Sequence, residues 1–440
     1  MSENLLKTAL AVANDTRALH IGHNILQQAP DMFQAQFGSS PVLIVADTNT
    51  FEAAGKTVFD AFGAGGMVRE EPFIYTDPDL YAEHRFVETL QANLRKTDAI
   101  PVAVGSGTIN DLTKLAAHRA GRPYMAVATA ASMDGYTAFG ASITFEGSKQ
   151  TFSCPAPRAV LADLEIISRA PAGLNASGYA DLLAKVTAGA DWILADALDE
   201  ESIDDTAWKL VQTPLRKWLA DPAGVKNGDA TALENLVEGL MMGGFAMQWT
   251  RSSRCASGAE HQFSHLWDMQ HHTHHGKPPS HGFKVGVATR AITRLYEHLL
   301  SIPLDHISIE ERVSAWPDWP EFETSIRRLY DIPEISSKAV EESHAKYVDR
   351  DGLRRHLKKL HEVWQPLRKK LRAQLIPETE LKQMLDAVGA PSDSTDIGIS
   401  PSRLRDTYRQ AGPIRRRYTV LDLAVRSGIL DTSLDILFHE

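Results

Sequence analysis

The stretch IPVAVGSGTINDLTK, from Ile100 to Lys114, decides the fold: an apolar run breaks at Gly105-Ser106-Gly107 and passes directly into helical spacing. A buried-type strand feeding a helix in this way is one unit of a parallel α/β sheet. The same alternation extends to either side. Upstream, PVLIVAD ends at Asp47 and leads into TNTFEAAGKTVFDAF as a helix; MVREEPFIY then reads as a strand and DPDLYAEHRFVETLQANLRK as a helix opened by Asp-Pro. Downstream, PYMAVATAAS is another strand, so Pro41 to Val127 predict repeated β-α units. ASITFEGSKQTFSCPAPRAVLADLEII changes character, its short runs separated by GSK and PAP, which predicts hairpin rather than crossover connections. After Pro171 β-branched runs almost vanish. The expected architecture is an α/β domain with a mostly parallel sheet over residues 1–171 and an all-α domain over residues 172–440.

Composition narrows the class. The chain has 440 residues, 43% apolar and 23% charged, which is globular composition and excludes disordered and collagen-like chains. No stretch approaches the ~18 uninterrupted apolar residues of a membrane span, and Glu3 and Asp15 stand where a secretory signal would carry a basic end and an apolar run. With 46 Lys and Arg against 56 Asp and Glu, the net charge of −10 repels nucleic acid and anionic membrane. Phosphate recognition, if any, must come from a few placed cations. Cys154 and Cys255 are too far apart in sequence for a metal knuckle or a disulfide framework, which fits a reducing cytoplasm. The basic run GLRRHLKKLHEVWQPLRKKLRAQL keeps Leu and Trp at helical spacing, so it reads as a packed helix with a solvated outer face.

Three regions carry residues suited to chemistry. Gly105 and Gly107 would let backbone approach a diphosphate at a helix N-terminus, although Asn110 replaces the third glycine of the usual dinucleotide fingerprint and a plain tight turn fits equally. Asp47, at the end of an apolar run, could hold an adenosine ribose or simply cap the next helix. Asp181 and Lys185 have the spacing of an ordinary helical ion pair. In RCASGAEHQFSH, His261 and His265 fall at i and i+4 on one helical face, workable spacing for a metal or a proton relay. His271, His272, His274, His275 and His281 follow closely, and spacing alone does not say which are ligands. The HHTHH segment reads as a loop whose imidazoles serve the surface or a subunit contact.

Taken together and in order, GSGTINDLTK, TAASMDGYT, ADLLAK, SGAEHQFSH and SHGFKVGVAT resemble the metal-dependent polyol dehydrogenases, the superfamily of iron-containing alcohol dehydrogenases, glycerol dehydrogenases and dehydroquinate synthases. Within it the pattern is most similar to the sn-glycerol-1-phosphate dehydrogenases. The resemblance covers roughly residues 35 to 300 and implies a dehydroquinate synthase-like fold: a nucleotide-binding α/β domain, a helical domain, and the site in the cleft. It implies a divalent metal, zinc or else nickel or iron, on Asp181, His261 and His281. Asp181 would also touch substrate, and His265 would contact substrate and relay protons. Asp134 matches a substrate-contacting, catalytic aspartate. The resemblance places the diphosphate on Gly105, Gly107, Thr108, Ile109, Asn110 and Asp111, and the nicotinamide near Thr129, Ala130, Ala131 and Ser132. Ala138 stands where relatives often carry a hydroxyl, so only a backbone contact could survive there.

The reaction so implied is reduction of dihydroxyacetone phosphate to sn-glycerol 1-phosphate with NAD(H), or with NADP(H). Asp47 beside the ribose would repel a 2′-phosphate and favour NADH. Arg254, just before the histidine helix, is the expected phosphate cation, with a boundary ion pair as its alternative reading; Lys284, Lys149 and Arg251 stand in reserve. A dehydrogenase of an unphosphorylated polyol is the rival enzyme, and a catalytically silent binding or scaffold protein the rival of another class. The expected partners are a phosphorylated triose and further copies of the chain in a homo-oligomer, with no nucleic acid and no membrane insertion.

Overall fold

The structure, a computed structural model, describes residues 3–146 and 148–438, the side chains at positions 3, 4, 148 and 149 excepted. It divides into two compact units that interleave along the chain. Unit 1 comprises Met1–Leu182, Thr206–Ser253 and Ala387–Gly389; unit 2 comprises Leu183–Asp205, Arg254–Asp386 and Ala390–Glu440.

Unit 1 is built on six parallel strands, β1 (Ala18–Gly22), β2 (Val42–Asp47), β3 (Phe73–Tyr75), β4 (Ile100–Gly105), β5 (Met125–Ala128) and β8 (Ala159–Asp163), in the order β1-β8-β5-β4-β2-β3. A separate antiparallel hairpin joins β6 (Ala141–Phe145) to β7 (Ser148–Phe152). Strands covered on both faces read as continuous apolar runs, and β2, β4, β5 and β8 are buried almost throughout. Val42, Ile44, Val102, Val104, Val127 and Leu161 share one core with Phe33 of α1 (Ala29–Phe37) and Val58 and Phe62 of α2 (Lys56–Ala64). The alternate residues Leu43, Val45 and Ala103 are also buried, on the face where α3 (His84–Leu94) packs with α4 (Gly107–Arg119). Because β3 lies on one side of β2 and β4 on the other, the direction of winding reverses between β2 and β4. Ligands of open α/β sheets bind beyond the carboxyl ends of the strands at such a reversal, and here those ends are Asp47 and Gly105.

After β8 the chain is helical. It leaves the first segment of unit 1 along α5 (Ala172–Leu183), enters unit 2 with α6 (Lys185–Ala197) and returns to unit 1 at Thr206, in a segment that carries α7 (Ala230–Thr250). Helix α7 packs with β1 and with the short helix Leu164–Ser168, which is why a segment far along the sequence belongs to the sheet's unit. Unit 2 is all helix, including α8 (Ala259–Met269), α9 (His281–Leu299), α10 (Pro333–Lys346), α11 (Arg350–Gln374) and α12 (Val420–Ser427). The amphipathic reading of the basic run holds in α11: Leu353, Leu357, Leu360, Trp364, Leu367 and Leu371 are buried.

Three local expectations change. Asp77-Pro78 forms a turn, with the Asp79 N–H on the Asp77 side chain, and the helix starts only at His84. The MVREEPFIY strand is confined to its last three residues, Phe73–Tyr75. Of the two predicted hairpin breaks only the one at GSK is a hairpin, since β8 joins the parallel sheet between β5 and β1. Among the described residues no helix is long and apolar enough to cross a membrane.

Phe62 is wholly buried, with its ring edge-on to Phe33 at 5.3 Å between centroids. Phe62→Ala should therefore cost about 3–5 kcal/mol as lost burial plus cavity. A urea titration that left the midpoint unmoved would show that the α1–α2 layer contributes little to the unit.

Candidate functional site

The glycine turn sits where the sequence reading put it. β4 ends at Gly105, Ser106 precedes the first helical residue, and α4 begins at Gly107 with its first N–H groups beyond the strand ends. A Cβ on Gly105 would lie 2.5 Å from the Ile109 side chain, and one on Gly107 would lie 2.9 Å from Met133, so both glycines permit close approach. Asp47 caps the turn Thr48–Thr50, its Oδ1 accepting from the Thr50 N–H at 2.9 Å. This is the capping role considered from sequence, and it leaves Asp47 at the end of β2 beside the winding reversal.

The other residues of the nucleotide reading surround this turn within unit 1. The Thr129 N–H donates to the Gly105 carbonyl, and the Ala131 N–H to Asn175 Oδ1 at 3.0 Å. Tyr136 donates its hydroxyl toward the carbonyls of Ala130 and Gly105, at 2.9 and 3.2 Å. Ser132 accepts from Ser177 at 3.5 Å, and the Asp134 N–H donates to Asp181 Oδ2 at 3.2 Å. Asn110 is buried and accepts from the Tyr124 hydroxyl, while Asp111 accepts from the Ser142 N–H. Thr108 and Ile109 lie in the first turn of α4, Ile109 wholly buried.

Sequence reading missed what holds this loop. Lys114, buried in α4, donates to the carbonyls of Gly135, Ala138 and Gly140 at 2.8, 3.0 and 3.0 Å, so one ammonium fixes the segment bearing Asp134 and Ala138. A buried lysine at the C-terminal end of GSGTINDLTK was the available signal.

In unit 2 three imidazoles converge. His261 and His265 lie one turn apart on α8, their ring centroids 6.3 Å apart, and His281 is the first residue of α9, 5.3 Å from His261 and 6.4 Å from His265. Ser280 caps α9, accepting from the Phe283 N–H. Glu260, which the sequence reading passed over, stands behind His261: its Oε1 is 2.8 Å from His261 Nδ1, and its Oε2 accepts from Thr187 at 2.8 Å. A carboxylate at Nδ1 holds the proton there and puts the ring's lone pair on Nε2, the tautomer a metal ligand needs. Burial alone would raise Glu260, but the bonds and charge from His261 and the Gly258 N–H hold it below its ordinary value.

Behind Glu260 lies Asp191 of α6, wholly buried. Its Oδ1 accepts from Tyr296 at 2.5 Å and from the Val420 N–H at 2.8 Å, and its Oδ2 from the Ala259 N–H at 2.7 Å. Burial and the neighbouring Glu260 push it up to about 7.

Several expected residues are placed otherwise. Arg254 is buried with Nη1 on the Tyr418 carbonyl at 2.9 Å and Nη2 on the Asp191 carbonyl at 2.8 Å; Glu201 lies 3.4 Å from its Nε. Those carbonyls occupy the fork that a phosphate would need, so the ion-paired alternative describes its setting better. Lys284 is buried against Asp268, joining α9 to α8. Arg251 lies over the Phe139 ring, and the Lys149 side chain is outside the described residues. Lys185 opens α6, so it shares no helix with Asp181. In the HHTHH loop His271 and His275 are exposed, in keeping with the surface reading, while His272 is buried, its Nε2 on the Ile397 carbonyl at 2.6 Å and its Nδ1 accepting from Arg403 at 2.8 Å. His274 and Lys277 exchange backbone bonds.

Asp191→Asn would turn an N–H donor toward groups that already donate, at about 1–3 kcal/mol for a buried mismatch. With the folded-state pKa above its ordinary 3.8, the wild-type protein should also lose stability from this group as pH rises from 3.8 through about 7. The variant should unfold at lower urea and lack that slope. An identical pH profile for both proteins would remove Asp191 as its source.

Comparison with known proteins gives the family. The family model described as iron-containing alcohol dehydrogenase matches residues 20–171. A glycerol-1-phosphate dehydrogenase of Bacillus velezensis, whose name carries NAD(P)+, is 33% identical over 93% of this chain and 91% of its own. A like-named protein of Halalkalibacterium halodurans is 33% identical over 67% of this chain and 77% of its own. Among solved structures, a probable glycerol dehydrogenase from Sinorhizobium meliloti 1021 superposes with a TM-score of 0.60 at 16% identity, over 97% of this chain and 98% of that one, which shows the dehydroquinate synthase-like fold. The chain belongs to the glycerol-1-phosphate dehydrogenase family of the iron-containing alcohol dehydrogenases, oxidoreductases that act on a CH–OH group.

Proposed function

We propose that this chain interconverts dihydroxyacetone phosphate and sn-glycerol 1-phosphate, using NAD(H) or NADP(H) and one divalent metal. The observation that carries the proposal is the convergence of His261, His265 and His281 with a buried carboxylate behind His261. The names of the relatives, glycerol-1-phosphate dehydrogenases with NAD(P)+, supply the substrate and the nucleotide.

Asp181, His261 and His281 are the proposed metal ligands, a grouping of one hard carboxylate and two imidazoles able to hold a metal ion. That donor set suits zinc, nickel or iron. When bound, the metal supplies Lewis-acid polarisation of a carbonyl and the nucleotide supplies a hydride. The chain's own residues do the rest. The glycine turn and the first N–H groups of α4 receive the diphosphate, and the loop from Thr129 to Ala138, fixed by Lys114, positions the nicotinamide. Asp134 orients substrate from that loop. His265, a turn beyond His261, returns a proton to the substrate oxygen. Asp47 at the end of β2 disfavours a 2′-phosphate and so favours NADH.

The rival reading, a dehydrogenase of an unphosphorylated polyol, draws support from Arg254, whose guanidinium already serves two carbonyls. A substrate screen separates them. Wild-type protein should reduce dihydroxyacetone phosphate with a higher kcat/KM than dihydroxyacetone; a preference for the neutral ketone would make the rival the better account.

Metal content tests the ligand set independently. His281→Ala removes a nitrogen ligand from the start of α9 and should abolish both bound metal and turnover while the circular dichroism spectrum persists. His274→Ala, in the HHTHH loop, is the control and should retain its metal. Full metal and activity in the His281 variant would exclude it as a ligand.

A further inference from the structure

Three consecutive arginines near the end of unit 2 meet three different environments. The Arg416 N–H donates to Glu342 Oε2 at 2.8 Å, and its guanidinium donates to both Glu342 oxygens at 2.9 and 3.0 Å, which pins the segment to α10. Lys346, also on α10, donates to the Gly412 carbonyl at 2.8 Å and holds the segment's other end. Arg417 donates to the Ser257 carbonyl at 2.5 Å. Burial, Arg254 and Arg415 push its pKa down to about 10 against the opposing charge of Glu201, so Arg417 feels both other guanidiniums.

Arg415 differs from both neighbours. Among the described residues it makes no ion pair, and its hydrogen-bond contact is Nη2 to His265 Nδ1 at 3.5 Å. Solvent reaches its side chain, yet the protein around it lowers its pKa. Glu342, the carboxylate whose charge reaches Arg415, is already engaged by Arg416 and Lys338, so an accessible cation with Arg417 nearby is left in an environment that favours an anion. Because arginine only donates, the contact makes His265 Nδ1 the acceptor and places that ring's proton on Nε2. Nε2–H is the form in which His265 can give a proton to a substrate oxygen. Arg415 therefore stands beside the proposed proton relay rather than in the distant packing that engages Arg254.

We propose that Arg415 binds the phosphate of the substrate and so sets the preference for a phosphorylated triose, with Arg417 adding positive charge nearby. This rests on the glycerol-phosphate reading above. A phosphate can also come from NADP(H), but the contact with His265 places Arg415 at the substrate end of the site. A guanidinium takes a phosphate bidentately, and losing one partner of such a pair costs at least about 30-fold in kcat/KM.

The test uses the full-length, metal-loaded enzyme and Arg415→Met, which keeps the apolar stem, with Arg415→Lys restoring the charge without the fork. Wild type is assayed first on dihydroxyacetone phosphate and dihydroxyacetone, each with NADH and with NADPH. A wild-type preference for the neutral ketone would overturn both the glycerol-phosphate reading and this assignment, before any substitution is considered. Given the phosphorylated preference, Arg415→Met should lower the kcat/KM ratio of the two ketones at least about 30-fold, mainly through KM, with either nucleotide. Arg415→Lys should recover part of it. Titration of wild type with inorganic phosphate in a calorimeter should give heat that Arg415→Met lacks. An unchanged ratio, an equal loss on both ketones, or a loss confined to NADPH would each overturn Arg415 as the substrate's phosphate ligand while leaving the reaction assignment standing. If Arg415→Met did not fold, Arg415→Lys would decide: a ratio and phosphate heat equal to those of wild type would overturn the bidentate contact.

Discussion

The buried carboxylate of Asp191 sets the frame on which the histidine cluster stands. From α6 it accepts from the Ala259 N–H at the start of α8, from the Tyr296 hydroxyl on α9 and from the Val420 N–H at the start of α12. His261 is two residues beyond Ala259 and His281 lies on the helix that carries Tyr296, so one side chain fixes the register of both imidazoles. Taking a carboxylate out of water costs several kcal/mol, which its three hydrogen bonds offset only in part, since its pKa is still pushed up to about 7. The same groups that satisfy Asp191 would be left unpaired without it. Asp191 therefore contributes specificity of arrangement more than net stability, and Glu260 passes that order to His261 through Thr187, Gly258 and Nδ1.

Unit 1 reaches comparable order by close approach. A Cβ on Gly178 of α5 would fall 1.9 Å from the Ala131 carbonyl oxygen, so only glycine lets that helix lie against the loop proposed to hold the nicotinamide. Asn175, one turn earlier, accepts the Ala131 N–H and donates to Ile167, while Lys114 grips the far end of the loop from α4. The loop is thus clamped by Asn175, Gly178 and Lys114, in keeping with the need for rigid support behind a binding constellation.

Signals local in sequence were legible, and signals carried by distant partners were not. Runs such as VLIVAD and IPVAVG show their burial directly, and the i, i+4 spacing of His261 and His265 survives folding because a helix preserves it. β1 was missed because Ala18–Gly22 is an edge strand with only one buried residue, paired to β8 some 140 positions later. The burial of His272 within the mostly exposed HHTHH loop was not legible because neither the Ile397 carbonyl nor Arg403, which engage it, is near it in sequence. Arg254 shows the same blindness: its partners Tyr418, Asp191 and Glu201 are scattered along unit 2.

Arginine identity therefore says little until the occupancy of its fork is known. Arg254 directs two nitrogens at backbone carbonyls, and those carbonyls would be stranded in a dry interior if the guanidinium turned to a ligand. Arg416 is committed to a buried carboxylate, Glu342, held well below its ordinary range at about 2 by Arg416 and Lys338, against the burial that would raise it. Neither can be released cheaply. Among the described residues Arg415 has one long hydrogen-bond contact, to an imidazole, to give up, so binding an anion there strands no buried partner, and the nearby charge of Arg417 adds to the attraction. An arginine whose fork is uncommitted thereby becomes a source of differential affinity for a phosphorylated substrate.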